Sequence, residues 1–233
     1  MHTHTPPVVC ASAALAMAAL LACGAPESSA DHMEQHFEQV DAVMTAVIAG
    51  DLAAVKQPAG WLASHEPAEG LPGDWEPFVT DMQAAARLAE GATDVATAAV
   101  ATGEMALLCG ACHAAVGQGT AFAFMAQPEE TGVTGHMKRH AWALDQLWQG
   151  LIGPSDESWQ RGAQGLDESP IQGGSVETRT LGLRVHELGA QAAEAADPAA
   201  RAVLYGELLS TCAGCHVAAG SGPPSRPQAT GGH

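Results

Sequence analysis

Residues 94–113 (DVATAAVATGEMALLCGACH) form an Ala-rich segment that recurs, in related form, later in the chain. Its counterpart, DPAARAVLYGELLSTCAGCH (residues 197–216), shares Asp, Val, Glu, Cys and His positions at a constant offset of 103 residues. Both stretches are rich in Ala, which has the best intrinsic helix propensity, and neither shows strand-type alternation. They predict helices over residues 94–114 and 198–217, each ending in Cys-x-x-Cys-His.

The duplication extends to the start of each repeat. The motif His32-Met33-x-x-His36 recurs as His136-Met137-x-x-His140 at an offset of 104 residues, so the second copy has lost one residue from its middle. Self-similarity of this kind indicates two structural repeats. The predicted organisation is repeat one at 31–116, a linker at 117–134, repeat two at 135–218 and a disordered Pro/Gly/Ser-rich tail at 219–233.

Apolar residues recur at three- and four-residue spacing in each repeat, which is the periodicity of a helix. In the first helix of repeat one the stripe is Met33, Phe37, Val40, Met44 and Val47. Stretches rich in Pro and Gly mark loops between further helices, which are predicted over 51–65, 75–91, 155–165 and 176–195. The predicted fold class is all-α: two tandem four-helix bundles, each with its Cys-x-x-Cys-His sequence at the C-terminal end.

The chain is strongly acidic, with 26 acidic and 9 basic residues and a net charge of −17. Nucleic acid is excluded as a partner, because its binding depends on Lys and Arg that neutralise phosphates. Residues 31–116 hold 13 acids and 2 bases, so repeat one is the predicted docking face for a basic protein partner. Aromatic residues make up only 4% of the chain, and a flat, bulky cofactor would help to fill such a core.

The N-terminus is predicted to be a signal peptide over residues 1–22. Residues 8–22 form an apolar run that is shorter than the ~20 residues of a membrane-spanning helix. Leu20-Leu21-Ala22-Cys23-Gly24 resembles the lipobox of bacterial lipoproteins, although the preceding segment has no Lys or Arg. This resemblance implies a lipidated Cys23, a tether at 23–30 and an outer-membrane location in the periplasm. Ordinary signal-peptide cleavage is the alternative, and no later segment is expected to cross a bilayer.

Four cysteines remain after Cys10 in the leader and Cys23: Cys109, Cys112, Cys212 and Cys215. They form two Cys-x-x-Cys-His sequences, which match the attachment motif of c-type haem. On a helix the two thiols and the imidazole share one face, so they can bond the two vinyl groups and the iron of one haem. Structural zinc is the alternative, but its Cys pairs are typically ~15–20 residues apart, and a redox Cys-x-x-Cys would accompany a βαβ pattern.

A helical repeat with its haem motif at the C-terminal end resembles the class II cytochromes, the cytochrome c′ and cytochrome c-556 group, and shares their architecture with cytochrome b562. The resemblance implies two covalently attached haems c, with His113 and His216 as the first iron ligands. In low-spin members of that group a residue of the first helix binds the opposite side of the iron.

His36 and His140 lie in the apolar stripe of the first helices and are the predicted distal ligands. Met33 and Met137 are the alternative ligands, since a thioether also binds haem iron, and a haem without a distal protein ligand is the third possibility. His32 and His136 lie one position off the stripe, where a supporting or exposed role is expected. His65 and His186 have no counterpart at the repeat offset and are expected on the surface.

The predicted function is electron transfer by a dihaem c-type cytochrome between periplasmic or membrane redox partners. The alternative is binding or sensing of small gases such as NO or CO, as in cytochrome c′, at a five-coordinate haem. No acid–base constellation accompanies either Cys-x-x-Cys-His sequence, so an enzymatic activity is not expected.

Overall fold

The computed structural model describes residues 29–67, 73–117, 120, 122–168 and 174–220. These residues contain eight α-helices and no strand, so the all-α prediction is confirmed, with four helices in each repeat. A one-turn 3-10 helix, Gly73–Trp75, precedes the third helix. The helices are α1 (Ser29–Ala49), α2 (Leu52–Ser64), α3 (Glu76–Glu90), α4 (Val95–Val116), α5 (Gly132–Ile152), α6 (Asp156–Gly165), α7 (Val176–Glu194) and α8 (Pro198–Ala219).

Side-chain caps explain where the helices begin. The Asp94 carboxylate accepts a hydrogen bond of 2.8 Å from the Thr97 amide, and Asp197 accepts one of 2.8 Å from Ala200. Such a cap satisfies one of the amide groups that the first turn of a helix leaves without a partner. The two repeats therefore start their last helix with the same device, which the duplicated Asp encodes.

The last helices of the two repeats pack against each other and join both repeats in one hydrophobic core. They cross antiparallel where both have glycine: a Cβ on Gly103 would meet the Ala202 carbonyl, and one on Gly206 would lie 3.0 Å from the Ala99 carbonyl. The far end of α8 then reaches α1, and the far end of α4 reaches α5. Each repeat therefore packs its last helix against the first helix of the other repeat.

Two helices, α4 and α8, are long and apolar enough to cross a membrane by length and composition alone. From the sequence, no such segment is expected after the leader. Both helices are buried over 44% of the apolar window and pack on each other in the shared core. An apolar helix at the centre of a fold has the same composition, because it contacts other helices on several sides.

The linker between the repeats is partly packed onto repeat two. The indole Nε1 of Trp142 donates a hydrogen bond of 3.0 Å to the Met125 carbonyl, and Phe122 packs against the core. Phe124 is 76% exposed, with the Arg161 guanidinium 5.6 Å from its ring centroid. The described part of the linker is therefore attached to repeat two through Phe122 and Met125.

Replacing Gly103 by Ala is expected to lower the free energy of unfolding by about 1–3 kcal/mol, because the added methyl group forces α4 away from the α8 backbone. Gly182→Ala is the matched control, since nothing lies within 4 Å of a Cβ at this position in α7. Its better helix propensity should raise stability by up to ~1 kcal/mol. Urea unfolding followed by circular dichroism measures the free energy of unfolding of both variants. An equal increase in this free energy for Gly103→Ala and Gly182→Ala would contradict the observed crossing of α4 and α8.

Candidate functional site

The end of α4 carries a pair of thiols beside an imidazole of fixed orientation. Cys109, Cys112 and His113 occupy positions i, i+3 and i+4 of the helix and therefore lie on one face. The Nδ1 of His113 donates a hydrogen bond of 2.6 Å to the carbonyl of Ile152 in α5. A carbonyl can only accept, so Nδ1 carries a proton, and in the neutral ring Nε2 keeps its lone pair. That lone pair is what a metal bond requires.

The end of α8 repeats this arrangement. The Nδ1 of His216 donates a hydrogen bond of 3.1 Å to the carbonyl of Ile48 in α1, which again leaves Nε2 as the free ligand atom. Cys212 is buried, and the Sγ of Cys215 lies 4.0 Å from the Thr178 carbonyl in α7. In both repeats, the imidazole is thus oriented by the first helix of the other repeat.

The four thiols are protonated and unpaired. Burial raises the pKa of Cys109 to about 12 and that of Cys212 to about 12, and it also raises the pKa values of Cys112 and Cys215. None of the four forms a disulfide. Redox-active Cys-x-x-Cys pairs instead hold a thiol of lowered pKa. The environment therefore does not favour dithiol redox chemistry.

The two thiol pairs lie too far apart to share one metal ion. Because α4 and α8 run antiparallel with Gly103 beside Ala202, Cys212 lies level with the start of α4. At a helical rise of 1.5 Å per residue, Cys109 and Cys212 are separated by about 24 Å. A single zinc site built from all four thiolates is excluded by this distance. Each pair, with its neighbouring imidazole, instead has the donor set that one covalently attached haem needs.

Three imidazoles meet between α1 and α2 in repeat one. His32, His36 and His65 each place a ring nitrogen within 4.8 Å of the others. The ring of Trp61 stacks on His65 at a centroid distance of 3.7 Å, and the Nε2 atoms of His36 and His65 are buried without a hydrogen-bond partner. Burial, with the neighbouring imidazoles, lowers the pKa of His36 to about 4, so its ring is neutral at physiological pH. We call this group triad one.

Triad two consists of His136, His140 and His186 from α5 and α7, with ring nitrogens again within 4.8 Å. His136 donates from Nδ1 to Glu168 at 3.0 Å, and His186 donates from Nδ1 to the Leu166 carbonyl at 2.6 Å. Both rings therefore keep the Nε2 lone pair. The Nε2 atoms of His140 and His186 are buried without a hydrogen-bond partner.

Electrostatics keep the His140 ring neutral and hold the Glu168 carboxylate ionised. Burial lowers the pKa of His140 to about 3, with further lowering from His136 and His186. Burial alone would raise the pKa of Glu168, but its hydrogen bonds and ion pair with Arg139 outweigh that effect and the pKa is lowered. Glu168 is thus an anionic acceptor that orients the His136 ring.

The triads correct two expectations from the sequence. His65 and His186 were expected on the surface as unrelated residues, yet each supplies the third imidazole of a triad. His32 and His136 are buried, with 2% and 6% exposure, so an exposed role for them is wrong. The surplus of histidines outside the Cys-x-x-Cys-His sequences was the available signal. Comparison of the repeats at a fixed offset does not pair His65 with His186, because the third histidine occupies different positions in the two repeats.

The predicted distal haem ligands lie on two neighbouring stripes of α1. Met33 lies eleven residues, about three turns, before Met44, so both lie on one stripe of the helix. At Met44 this stripe contacts α8, where the Tyr205 hydroxyl lies 3.2 Å from the Met44 sulfur. His36 lies on the neighbouring stripe and faces α2 through His65.

The same separation occurs in α5, where Met137 is half-buried and His140 turns to His186. Trp148 follows Met137 by eleven residues, and its ring lies 5.9 Å from that of Tyr205 in α8. Met44 and Trp148, on the methionine stripes, thus contact Tyr205 of α8, whereas the histidines contact the second or third helix of their own repeat. Cys23, the predicted lipid acceptor, lies outside the described residues.

Comparison with known proteins adds no relative to this description. No family model, curated protein or solved structure matches the chain.

Proposed function

We propose that this chain is a dihaem c-type cytochrome that transfers electrons between protein redox partners. One observation carries the proposal: in both repeats, a pair of thiols lies beside an imidazole whose Nδ1 is held by a carbonyl and whose Nε2 keeps its lone pair. A haem bound there supplies one-electron chemistry at its iron.

The chain's own residues have distinct roles in this proposal. Cys109 with Cys112, and Cys212 with Cys215, attach the two haems, as in the class II cytochromes that the sequence resembles. Ile152 and Ile48 orient the imidazoles of His113 and His216 through the carbonyl hydrogen bonds. Such a bond raises the basicity of a ligand imidazole and fixes its orientation. Each haem therefore depends on the first helix of the opposite repeat for the position of its ligand.

Met33 and Met137 are the distal ligands in this proposal. They were the alternative in the sequence analysis, where His36 and His140 came first. Met44 and Trp148, on the same stripes as these methionines, contact α8, while His36 and His140 lie against other imidazoles. Met33 is 41% exposed, so its thioether is accessible and not enclosed in the core. Ligation by His and Met gives a low-spin haem and raises the reduction potential.

The partner proposed for the chain is inferred from its charge, and its proposed location is inferred from the N-terminal leader. Repeat one is the docking face in this proposal, because its excess of acidic residues attracts a basic partner and repels an acidic one. The signal peptide and the acylated Cys23 would tether the chain to the periplasmic side of an outer membrane. More than one acyl chain is needed for such an anchor to be stable.

Carbon monoxide distinguishes electron transfer from gas binding, the second candidate function. Two six-coordinate haems should leave the reduced absorption spectrum nearly unchanged under carbon monoxide. The oxidised protein should also show the weak charge-transfer band of methionine ligation near the red end of the spectrum. Met33→Leu should weaken this band and open one haem to carbon monoxide, whereas Leu88→Met, at an exposed site on α3, should change neither.

Three other outcomes would revise the proposal. Strong binding of carbon monoxide by the unmutated protein would favour the gas-binding function. A spectrum that changes with His36→Ala and not with Met33→Leu would return the ligand assignment to the histidines. Absence of covalent haem from protein made with a haem-attachment system would contradict both functions.

A further inference from the structure

Each triad contains more imidazoles than a haem needs, and its ligand atoms already face one another. The three ring nitrogens lie within 4.8 Å of each other in both repeats. A tetrahedral zinc ion with bonds of about 2.1 Å holds its ligands about 3.4 Å apart, so modest rotation of the rings closes the site. The His36 and His140 rings are in the neutral form that a metal binds, since burial lowers their pKa values.

The environment of triad two is that of a metal ligand set. Glu168 accepts the Nδ1 hydrogen of His136 and is itself held by Arg139 at 2.8 Å. A carboxylate behind a histidine is the usual outer partner of a metal-bound imidazole, because it fixes the ring and raises its basicity. The Leu166 carbonyl has the same role behind His186. Two of the three rings thus have a fixed tautomer with Nε2 free for the ion.

The third histidine occupies different positions in the two repeats. His186 lies in α7, and Gln83 is the residue of α3 at the repeat offset of 103. Gln83 donates to the His65 carbonyl at 3.0 Å, just as His186 donates to the Leu166 carbonyl, so the two positions are equivalent in space. Repeat one instead takes its third imidazole from His65, the residue after α2. Both repeats therefore have three imidazoles, although the third one occupies a different sequence position in each. Duplication alone would have placed the third imidazole at the same position in both repeats.

Triad two is also separate from the thiols of its own repeat. Cys215 lies beside Thr178 in α7, and His186 is eight residues farther along that helix, about 12 Å away. We propose that each triad binds one divalent transition-metal ion of the zinc class, giving two ions per chain in addition to any haem iron. Three nitrogens leave the fourth position of a tetrahedral ion open to water or a ligand. This inference does not rest on haem attachment, and under it His36 and His140 are not haem ligands.

The test uses the full-length protein with its haems, treated with a chelator and then titrated with Zn²⁺. The unmutated protein should bind two ions, and His36→Ala or His140→Ala should each leave one. His233→Ala is the matched control, because this histidine belongs to neither triad nor to a Cys-x-x-Cys-His sequence. Glu168→Gln should weaken one site by about 10–100-fold and leave the other unchanged. Zn²⁺ should also raise the midpoint of thermal unfolding, as any ligand specific for the folded state does.

A relocation variant gives the sharpest outcome. His65→Ala should leave one zinc ion, and His65→Ala combined with Gln83→His should restore the second, because repeat two already carries its third imidazole at that position. Circular dichroism checks that each variant is folded.

Failure of the unmutated protein to take up any Zn²⁺ would overturn the inference. So would retention of both ions by folded His36→Ala. If that variant also opened a haem to carbon monoxide, His36 would be a haem ligand. Loss of one zinc ion from His36→Ala, with an unchanged haem spectrum, would support the metal site independently of the function of the haems.

Discussion

Replacing both Cys109 and Cys112 by Ala is expected to remove one of two covalently bound haems from the protein. The two thiols lie on the same face of α4 as His113, so under the proposed function they attach the first haem alone. The second pair lies about 24 Å away on α8 and should keep its haem. Intact mass of protein made with a haem-attachment system measures the loss directly, and Cys212→Ala with Cys215→Ala should give the same mass change.

Cys23→Ala is the control for this experiment, because this cysteine lies outside both Cys-x-x-Cys-His sequences and should hold no haem. Under the same proposal, the variant is expected to keep both haems and to lose only the acyl chains proposed for Cys23. Loss of both haems from the Cys109 and Cys112 variant, with helical circular dichroism intact, would show that the two sites do not load independently. An unchanged mass for both double variants would refute covalent attachment at these cysteines.

Replacing Trp159 by Ala is expected to lower the free energy of unfolding by about 3–5 kcal/mol. The indole is fully buried in α6 and donates a hydrogen bond of 2.7 Å to the Ala192 carbonyl in α7. The Arg201 guanidinium of α8 lies 5.2 Å from its ring centroid, so one side chain connects three helices of repeat two. Removing it leaves a cavity and takes the hydrogen-bond donor from a carbonyl at the end of α7.

Trp75→Ala is the comparison for this loss. Trp75 is half-buried in the 3-10 helix before α3, so its removal should cost much less. Chemical unfolding of both variants, followed by circular dichroism, gives the two free energies. Similar losses at the two positions would contradict the central position of Trp159. Because the repeats share one core, the Trp159 variant should unfold in a single transition that includes repeat one.

The helices could be predicted from local sequence because local chemistry sets their ends. Asp94 and Asp197 cap α4 and α8, and the apolar spacing of the first helices matches α1 and α5. The Cys-x-x-Cys-His sequences likewise identify their own donor atoms, since positions i, i+3 and i+4 always share a helix face. None of these features depends on what the helix packs against.

The choice of helix partners depended on tertiary structure. The Ala-rich α4 and α8 are apolar on most sides. This composition predicts that a helix is buried, but it does not predict which other helices it packs against. Their contact depends on Gly103 and Gly206, which let two backbones approach at one crossing. The oriented imidazoles follow from this crossing, because it brings His113 to Ile152 and His216 to Ile48.

Local sequence is sufficient to predict the helices, the duplication and the donor set of each Cys-x-x-Cys-His sequence. The completion of two equivalent triads by His65 and His186 depends instead on the tertiary fold. These residues differ in their position within the repeat, and no local pattern relates the residue after α2 to the middle of α7. The second and third helices pack against the first helix in each repeat, and this packing places His65 and His186 beside the two histidines of that first helix. The neighbours of a side chain are set by how the helices pack and not by its distance along the chain.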